Sequence, residues 1–259
     1  MNTVKYEVKD RIAYITMNRP EKLNAINEEM RDELSECFRD VKENPDVWVA
    51  IITGAGERAF STGHDLVQRS ERSEGAERPR RSTGSTDDLY VYLHYTWKPT
   101  IAAINGYCLA QGGGIALCCD IRVAVEDAYF GWPQVKRGIS SVSGPSLLSH
   151  KIPLGIALEM LFTGEFVTAQ EAARWGMVNK IVKREDLMST AEEIAQKILA
   201  VAPLPVRAIK EGAVSTQGMR LEQRVRIASL LAGGVSQSAD SKEGLKAFAE
   251  KRAPVWVGR

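Results

Sequence analysis

The sequence predicts an α/β fold that gives way to an all-helical C-terminal region. Three observations predict it. Compact apolar runs at residues 47–53, 100–105, 121–125 and 178–182 alternate with stretches of helical periodicity. Glycine-rich turns follow the first two of these runs. After Pro203 and Pro205 every segment to Arg252 has helical spacing, with Ile209, Leu221, Val225, Leu230, Leu231, Leu245 and Phe248 as its apolar positions.

Taken in order, residues 4–17 alternate polar and apolar around Lys9-Asp10-Arg11, which predicts a β-hairpin. Residues 18–25 are a loop. Asn27 is a good helix N-cap, and Met30, Leu34, Cys37, Phe38 and Val41 follow at helical spacing until Asn44-Pro45. Residues 47–53 form a strand closed by Gly54-Ala55-Gly56. No third glycine or Gly-Lys-Ser/Thr is in register there, so neither a dinucleotide nor a P-loop fingerprint is supported. Residues 68–88 carry Arg69, Arg72, Arg78, Arg80 and Arg81 among Ser, Glu, Gly and Pro, the composition of a surface loop. An active-site lid is the sharper alternative. Residues 87–97 resume helical periodicity, and Tyr92, His94 and Tyr95 are candidates either for an acyl pocket or for core packing. Residues 129–145 are irregular. Thr168 caps a short helix ended by Gly176, and residues 187–201 form an amphipathic helix.

At 259 residues, with 44% hydrophobic and 26% charged residues, the chain has ordinary globular proportions. A net charge of +1 demands neither nucleic acid nor an anionic membrane as partner. No apolar run spans a bilayer and no signal peptide is evident. Cys37, Cys108, Cys118 and Cys119 form no CxxC, and the His residues are His64, His94 and His150. These features predict a reduced cytoplasmic protein with buried thiols and no metal site.

Two stretches carry the chemistry: Ala59-Phe60-Ser61-Thr62-Gly63-His64-Asp65-Leu66 and Asn105-Gly106-Tyr107-Cys108-Leu109-Ala110-Gln111-Gly112-Gly113-Gly114. A strand, a glycine-rich turn and a helix start point backbone N–H groups at an anion. Two such turns facing one carbonyl oxygen would stabilise an enolate or a tetrahedral intermediate.

Several motifs along the chain resemble the enoyl-CoA hydratase/isomerase (crotonase) superfamily. They are Met17-Asn18-Arg19-Pro20-Glu21-Lys22-Leu23-Asn24-Ala25, the Ser61-Thr62-Gly63-His64-Asp65 turn, and Asn105-Gly106-Tyr107 with Cys119-Asp120-Ile121-Arg122. Phe162-Thr163-Gly164 with Ala169-Gln170-Glu171-Ala172, and Phe248 with Lys251-Arg252, extend the match almost to the end. The resemblance implies a spiral of ββα units over 1–202 and a helical trimerisation region over 203–259. Its subunits would form homotrimers, or homohexamers as dimers of trimers. It implies an acyl-CoA substrate and no tightly bound cofactor. The thioester oxygen would lie between the backbone N–H groups of His64 and Gln111, although glycine is usual at the second position. Lys22, Leu23, Ala25, Thr62 and Asp65 would meet coenzyme A, with Phe248 and Lys251 reaching it from a neighbouring subunit.

The pattern breaks at the acid/base positions. The two glutamates that hydratases of this family use fall on Gly114 and Gln134, and neither transfers protons as a carboxylate does. Ser140, in the segment where relatives place an Asp or Tyr, offers a hydroxyl. His64 brings an imidazole. These departures lead to the expectation of an atypical enolate reaction: decarboxylation, ring hydration, isomerisation or hydrolysis. Acyl-CoA binding without turnover is the alternative.

Overall fold

The structure, a computed structural model, describes residues 1–66 and 86–259. Its strands are β1 (Val4–Lys9), β2 (Ile12–Met17), β3 (Val49–Gly54), β4 (Ala59–Ser61), β5 (Thr100–Ile104), β6 (Tyr107–Leu109), β7 (Ile121–Val125), β8 (Tyr129–Gly131), β9 (Phe166–Thr168) and β10 (Lys180–Val182). Its helices are α1 (Glu28–Glu43), α2 (Thr86–His94), α3 (Gln111–Cys118), α4 (Ser143–Ser146), α5 (Leu154–Thr163), α6 (Ala169–Arg174), α7 (Leu187–Leu199), α8 (Pro203–Ser215), α9 (Leu221–Val235) and α10 (Ala239–Glu250). The arginine-rich stretch read as a loop or lid lies, for residues 67–85, outside the described residues.

The N-terminal hairpin forms as the alternation predicts, with Asp10 and Arg11 at φ 49° and 66°. A turn with two left-handed residues matches the twist of the strands it joins. The first sheet then runs β1-β2-β3-β5-β7-β10, parallel from β2 onward. Every residue of β5, and all of β3 except Thr53, is buried, which fits parallel strands covered on both faces. Helix α7 packs on β3, β5 and β7. In α1, the five apolar positions from Met30 to Val41 are fully buried, and the Asn27 side chain accepts from the Met30 amide at 2.9 Å.

A second sheet, β4-β6-β8-β9, was not legible in the sequence. Each of its strands has three residues, too short to show a period of two. Consecutive ββ pairs along the chain give one strand to each sheet, β3/β4, β5/β6 and β7/β8. This is the expected spiral. Residues 129–145, read as irregular, contain β8, a 3₁₀ turn at Pro133–Arg137 and most of α4.

Residues 203–250 are helical as expected, and α8 is tied to the spiral. The buried Lys210 ammonium donates to Asp120 Oδ2 and to the Lys98 carbonyl, both at 2.8 Å. Helix α9 buries none of its residues, and Leu221, Leu230, Leu245 and Phe248 are all more than 60% exposed. No described helix is long and apolar enough to cross a membrane.

Candidate active site

Gly63 and Gly112 let the two organising turns touch, and Gly113 admits the Trp132 ring. A Cβ on Gly112 would lie 2.5 Å from the Ser61 carbonyl oxygen, so the start of α3 rests directly on β4. A Cβ on Gly113 would lie 2.9 Å from the Trp132 ring. Gly63, at φ +90°, stands against the other turn: a Cβ there would lie 2.8 Å from Ala110 Cβ and 3.0 Å from the Gln111 nitrogen. Substitution at any of these positions meets atoms already in place.

The first turn is held from behind. Ile26 donates to the Gly63 carbonyl at 2.7 Å, and Asp65 donates to the Ile26 carbonyl at 3.0 Å, around a parallel bridge between Ile26 and His64. Successive amides of an extended chain point to opposite sides, so the His64 N–H points away from Ile26. The Ser61 hydroxyl donates to the Asn24 carbonyl at 2.8 Å and accepts from the Gly63 amide at 3.2 Å. Asn24 is fully buried, and its amide donates to the carbonyls of Ala55 and Ala59 at 3.0 and 2.7 Å.

In the second turn the positive φ falls one residue before the position at which the resemblance makes glycine usual. Ala110, not Gln111, carries the positive φ, at 52°. Gln111 is the first residue of α3. The amides of Gln111, Gly112 and Gly113 therefore belong to the helix's first turn, where no intrahelical acceptor exists. Gly114 already donates back to the Ala110 carbonyl at 3.0 Å.

Both turns open on one cavity of about 120 Å³. Thr62, His64, Tyr90, Ala110, Gln111, Gln134 and Ser140 line it, along with Arg137 and Ser141 to Ser143. His64, Gln111, Gln134, Ser140 and Thr62, all named from the sequence, thus line one cavity. No Asp or Glu is among the described lining residues. The Gln111 side chain is 3% exposed, and neither its amide oxygen nor its nitrogen has a hydrogen-bond partner. The Gln134 amide donates to Ser141 Oγ at 3.4 Å, while its buried oxygen has no donor. Unpaired buried amides are costly, and a polar ligand would satisfy them.

Gly114 does not leave an empty space. A Cβ there would lie 2.6 Å from both Oη and Cε1 of Tyr90, and 2.7 Å from Ser143 Cβ. The volume that a glutamate side chain would need is filled by the Tyr90 ring and hydroxyl. Sequence reasoning missed Tyr90 and singled out its neighbours instead. Tyr92 and Tyr95 are exposed on α2 and just beyond it, and His94 lies off the cavity wall. The signal was available in helical spacing: Leu89 and Leu93 face the core, and Tyr90, adjacent in sequence, falls on the cavity side.

The residues expected to meet coenzyme A lie along the first turn and its supporting loop. Lys22 is exposed on a 3₁₀ turn, and Leu23 accepts from the Thr62 amide at 3.2 Å. Ala25 accepts from Arg19 at 2.6 Å. Asp65 pairs with Arg19 at 3.0 Å, which fastens the loop to the turn, and it does not line the cavity. Phe248 is 87% exposed and Lys251 sits at the end of α10, neither of them on the cavity wall. Burial raises the thiol pKa of all four cysteines, to about 12 for Cys37 and Cys119.

Two mostly parallel sheets that share out consecutive strands, with a polar cavity lined by two amide-bearing turns, define an α/β protein. The family model for enoyl-CoA hydratase/isomerase matches residues 7–259. The chain is 40% identical to an (E)-benzylidenesuccinyl-CoA hydratase of Thauera aromatica over 257 residues, 98% of this chain and 99% of that one. It is 40% identical to a carnitinyl-CoA dehydratase of Salmonella typhi, covering 96% and 95%. A solved enoyl-CoA hydratase/isomerase from Mycobacterium paratuberculosis superimposes with a TM-score of 0.90 at 32% identity, over 100% of this chain and 99% of that one. The chain belongs to the enoyl-CoA hydratase/isomerase family.

Proposed function

We propose that this protein is an enzyme that adds water to, or removes it from, an acyl-CoA thioester through an enolate. The thioester oxygen lies between the backbone amides of His64 and Gln111. One observation carries this reading: the Gly63 turn packs against the start of α3, so that both amides border the same cavity. Amides fixed in this way favour charge that develops on the oxygen during reaction. The hydratase and dehydratase names of the relatives support water chemistry over decarboxylation, isomerisation or thioester hydrolysis.

Lys22, Leu23, Ala25 and Thr62 form the wall for the nucleotide end of coenzyme A. Phe248 and Lys251 complete it from a neighbouring subunit, and the exposed apolar residues of 203–259 form the contact of a trimer or a pair of trimers. Light scattering on the purified protein checks this assembly, and a monomeric mass refutes it.

The test of function is a panel of enoyl- and hydroxyacyl-CoA thioesters, straight-chain and aryl-substituted, followed by mass spectrometry. A mass change of one water is expected for at least one member. The absence of any carboxylate from the described cavity lining favours one other reading, acyl-CoA binding without turnover. A rise in melting temperature with thioesters but no product from any of them would establish that reading instead.

A further inference from the structure

We propose that the Tyr90 hydroxyl does the proton work that a glutamate at position 114 would do. It moves the proton at the α-carbon when water is added or lost. The inference rests on the reading that the cavity holds an acyl thioester.

The geometry singles out this hydroxyl. A side chain at 114 would leave α3 directly into Tyr90 Oη, 2.6 Å from the first side-chain carbon. The hydroxyl therefore occupies the ground of the missing acid/base group. Tyr90 is 7% exposed and lines the same cavity as His64 and Gln111. Of the other hydroxyls on the cavity wall, those of Ser141 and Ser143 are engaged within the fold. Ser143 Oγ accepts from Trp132 Nε1 at 2.9 Å and donates to the Ala110 carbonyl at 3.2 Å. Ser141 Oγ accepts from the Gly144 amide at 2.9 Å and from Gln134 at 3.4 Å. Across the cavity, the buried Gln134 oxygen has no donor. It accepts from the reacting water and acts as a positioning group.

A phenol both donates and accepts, so one oxygen can serve both halves of the addition. The water oxygen bonds to the β-carbon. The π pair of the double bond shifts toward the α-carbon and the thioester oxygen. The phenolic proton passes to the α-carbon, and the surplus proton of the water passes to the phenolic oxygen. Tyr90 ends neutral, the product is a β-hydroxyacyl-CoA, and no oxidant or further reactant is needed. Because one group handles both protons, hydrogen and hydroxyl add to the same face of the double bond.

Tyr90→Phe removes the hydroxyl and keeps the ring against Gly114 and Ser143. With the thioester that the wild type turns over, kcat should fall roughly 10²–10⁴-fold, the usual weight of one acid/base group. KM and the thioester-induced rise in melting temperature should stay near wild type. In D₂O the wild type should place deuterium at the α-carbon syn to the hydroxyl, and the product that the variant still forms should carry the deuterium on either face. A purely structural tyrosine would move melting temperature and KM but not this isotope readout. As a second variant, Gly114→Glu with Tyr90→Ala clears the ring and supplies a carboxylate, and should turn over faster than Tyr90→Ala alone. Wild-type turnover that Tyr90→Phe leaves unchanged overturns the Tyr90 assignment while the enolate reading stands. A wild type that turns over no thioester overturns both.

Discussion

Gly112→Ala places one methyl group between the two turns that form the site. The new carbon would lie 2.5 Å from the Ser61 carbonyl oxygen and 2.9 Å from its carbonyl carbon. Both are backbone atoms of β4, so no side chain can swing aside. Reaching an ordinary 3.4 Å contact requires the start of α3 and β4 to separate by about 0.9 Å. Overpacking of this kind costs about 1–3 kcal/mol. At roughly 2–4 °C per kcal/mol for a chain of this size, the melting temperature should drop by about 2–12 °C. The catalytic effect should be larger. A displacement of about 1 Å in a reacting constellation costs on the order of 100-fold, and this one moves Gln111 relative to His64. The assay pairs thermal melts with turnover of the best thioester from the panel. Gly155→Ala is the control, since nothing lies within 4 Å of a Cβ there. A Gly112→Ala protein with wild-type rate and wild-type melting temperature would refute both the packing argument and the amide pair.

Other outcomes follow from the same contacts. Asn24→Ala strips two carbonyls of their side-chain donor and leaves the Arg19 amide without the 3.0 Å acceptor it has now; a loss of about 2–4 kcal/mol is expected in denaturant unfolding. Lys210→Met removes the ammonium that bridges α8 to Asp120. Asp120 keeps its bonds from Thr100 at 2.7 and 3.0 Å, so the cost should be about 1–3 kcal/mol, below that of a fully stranded buried charge. Burial, with the Lys151 and Lys210 charges, lowers the His94 pKa below its ordinary value of 6.5. The unfolded chain then binds a proton that the folded protein resists, so stability from this group is intact above 6.5 and falls as pH drops below it, by up to about 1.4 kcal/mol per pH unit. Melting curves across pH 4.5–7.5 should show this slope, and His94→Gln should flatten it.

How much was legible in advance differs element by element. The β1/β2 hairpin, α1 with its Asn27 cap, β7 and the Thr168 cap were readable because each rests on nearby residues: alternation, turn chemistry, or a cap three positions from its partner. The strands of the second sheet were not, because three residues carry no period and their pairing comes from distant segments. Motif matching named His64, Gln111, Gln134 and Ser140, and all four border one cavity. It marked Gly114 as a deficit. The chain could not show that Tyr90, 24 positions earlier, fills that space.

The sequence by itself determined the family, the alternation of strand and helix, the two glycine-rich turns and the lack of glutamates at 114 and 134. Those are properties of residue identity and short-range spacing, which need no partner to be expressed. Only the tertiary structure decided that Ala110 takes the left-handed backbone, that Asp65 is bound to Arg19, and that a phenol stands beside Gly114. The physical reason is close packing: which atoms share a few cubic ångströms is settled when helix α2 and helix α3 meet, and neither helix carries that information alone.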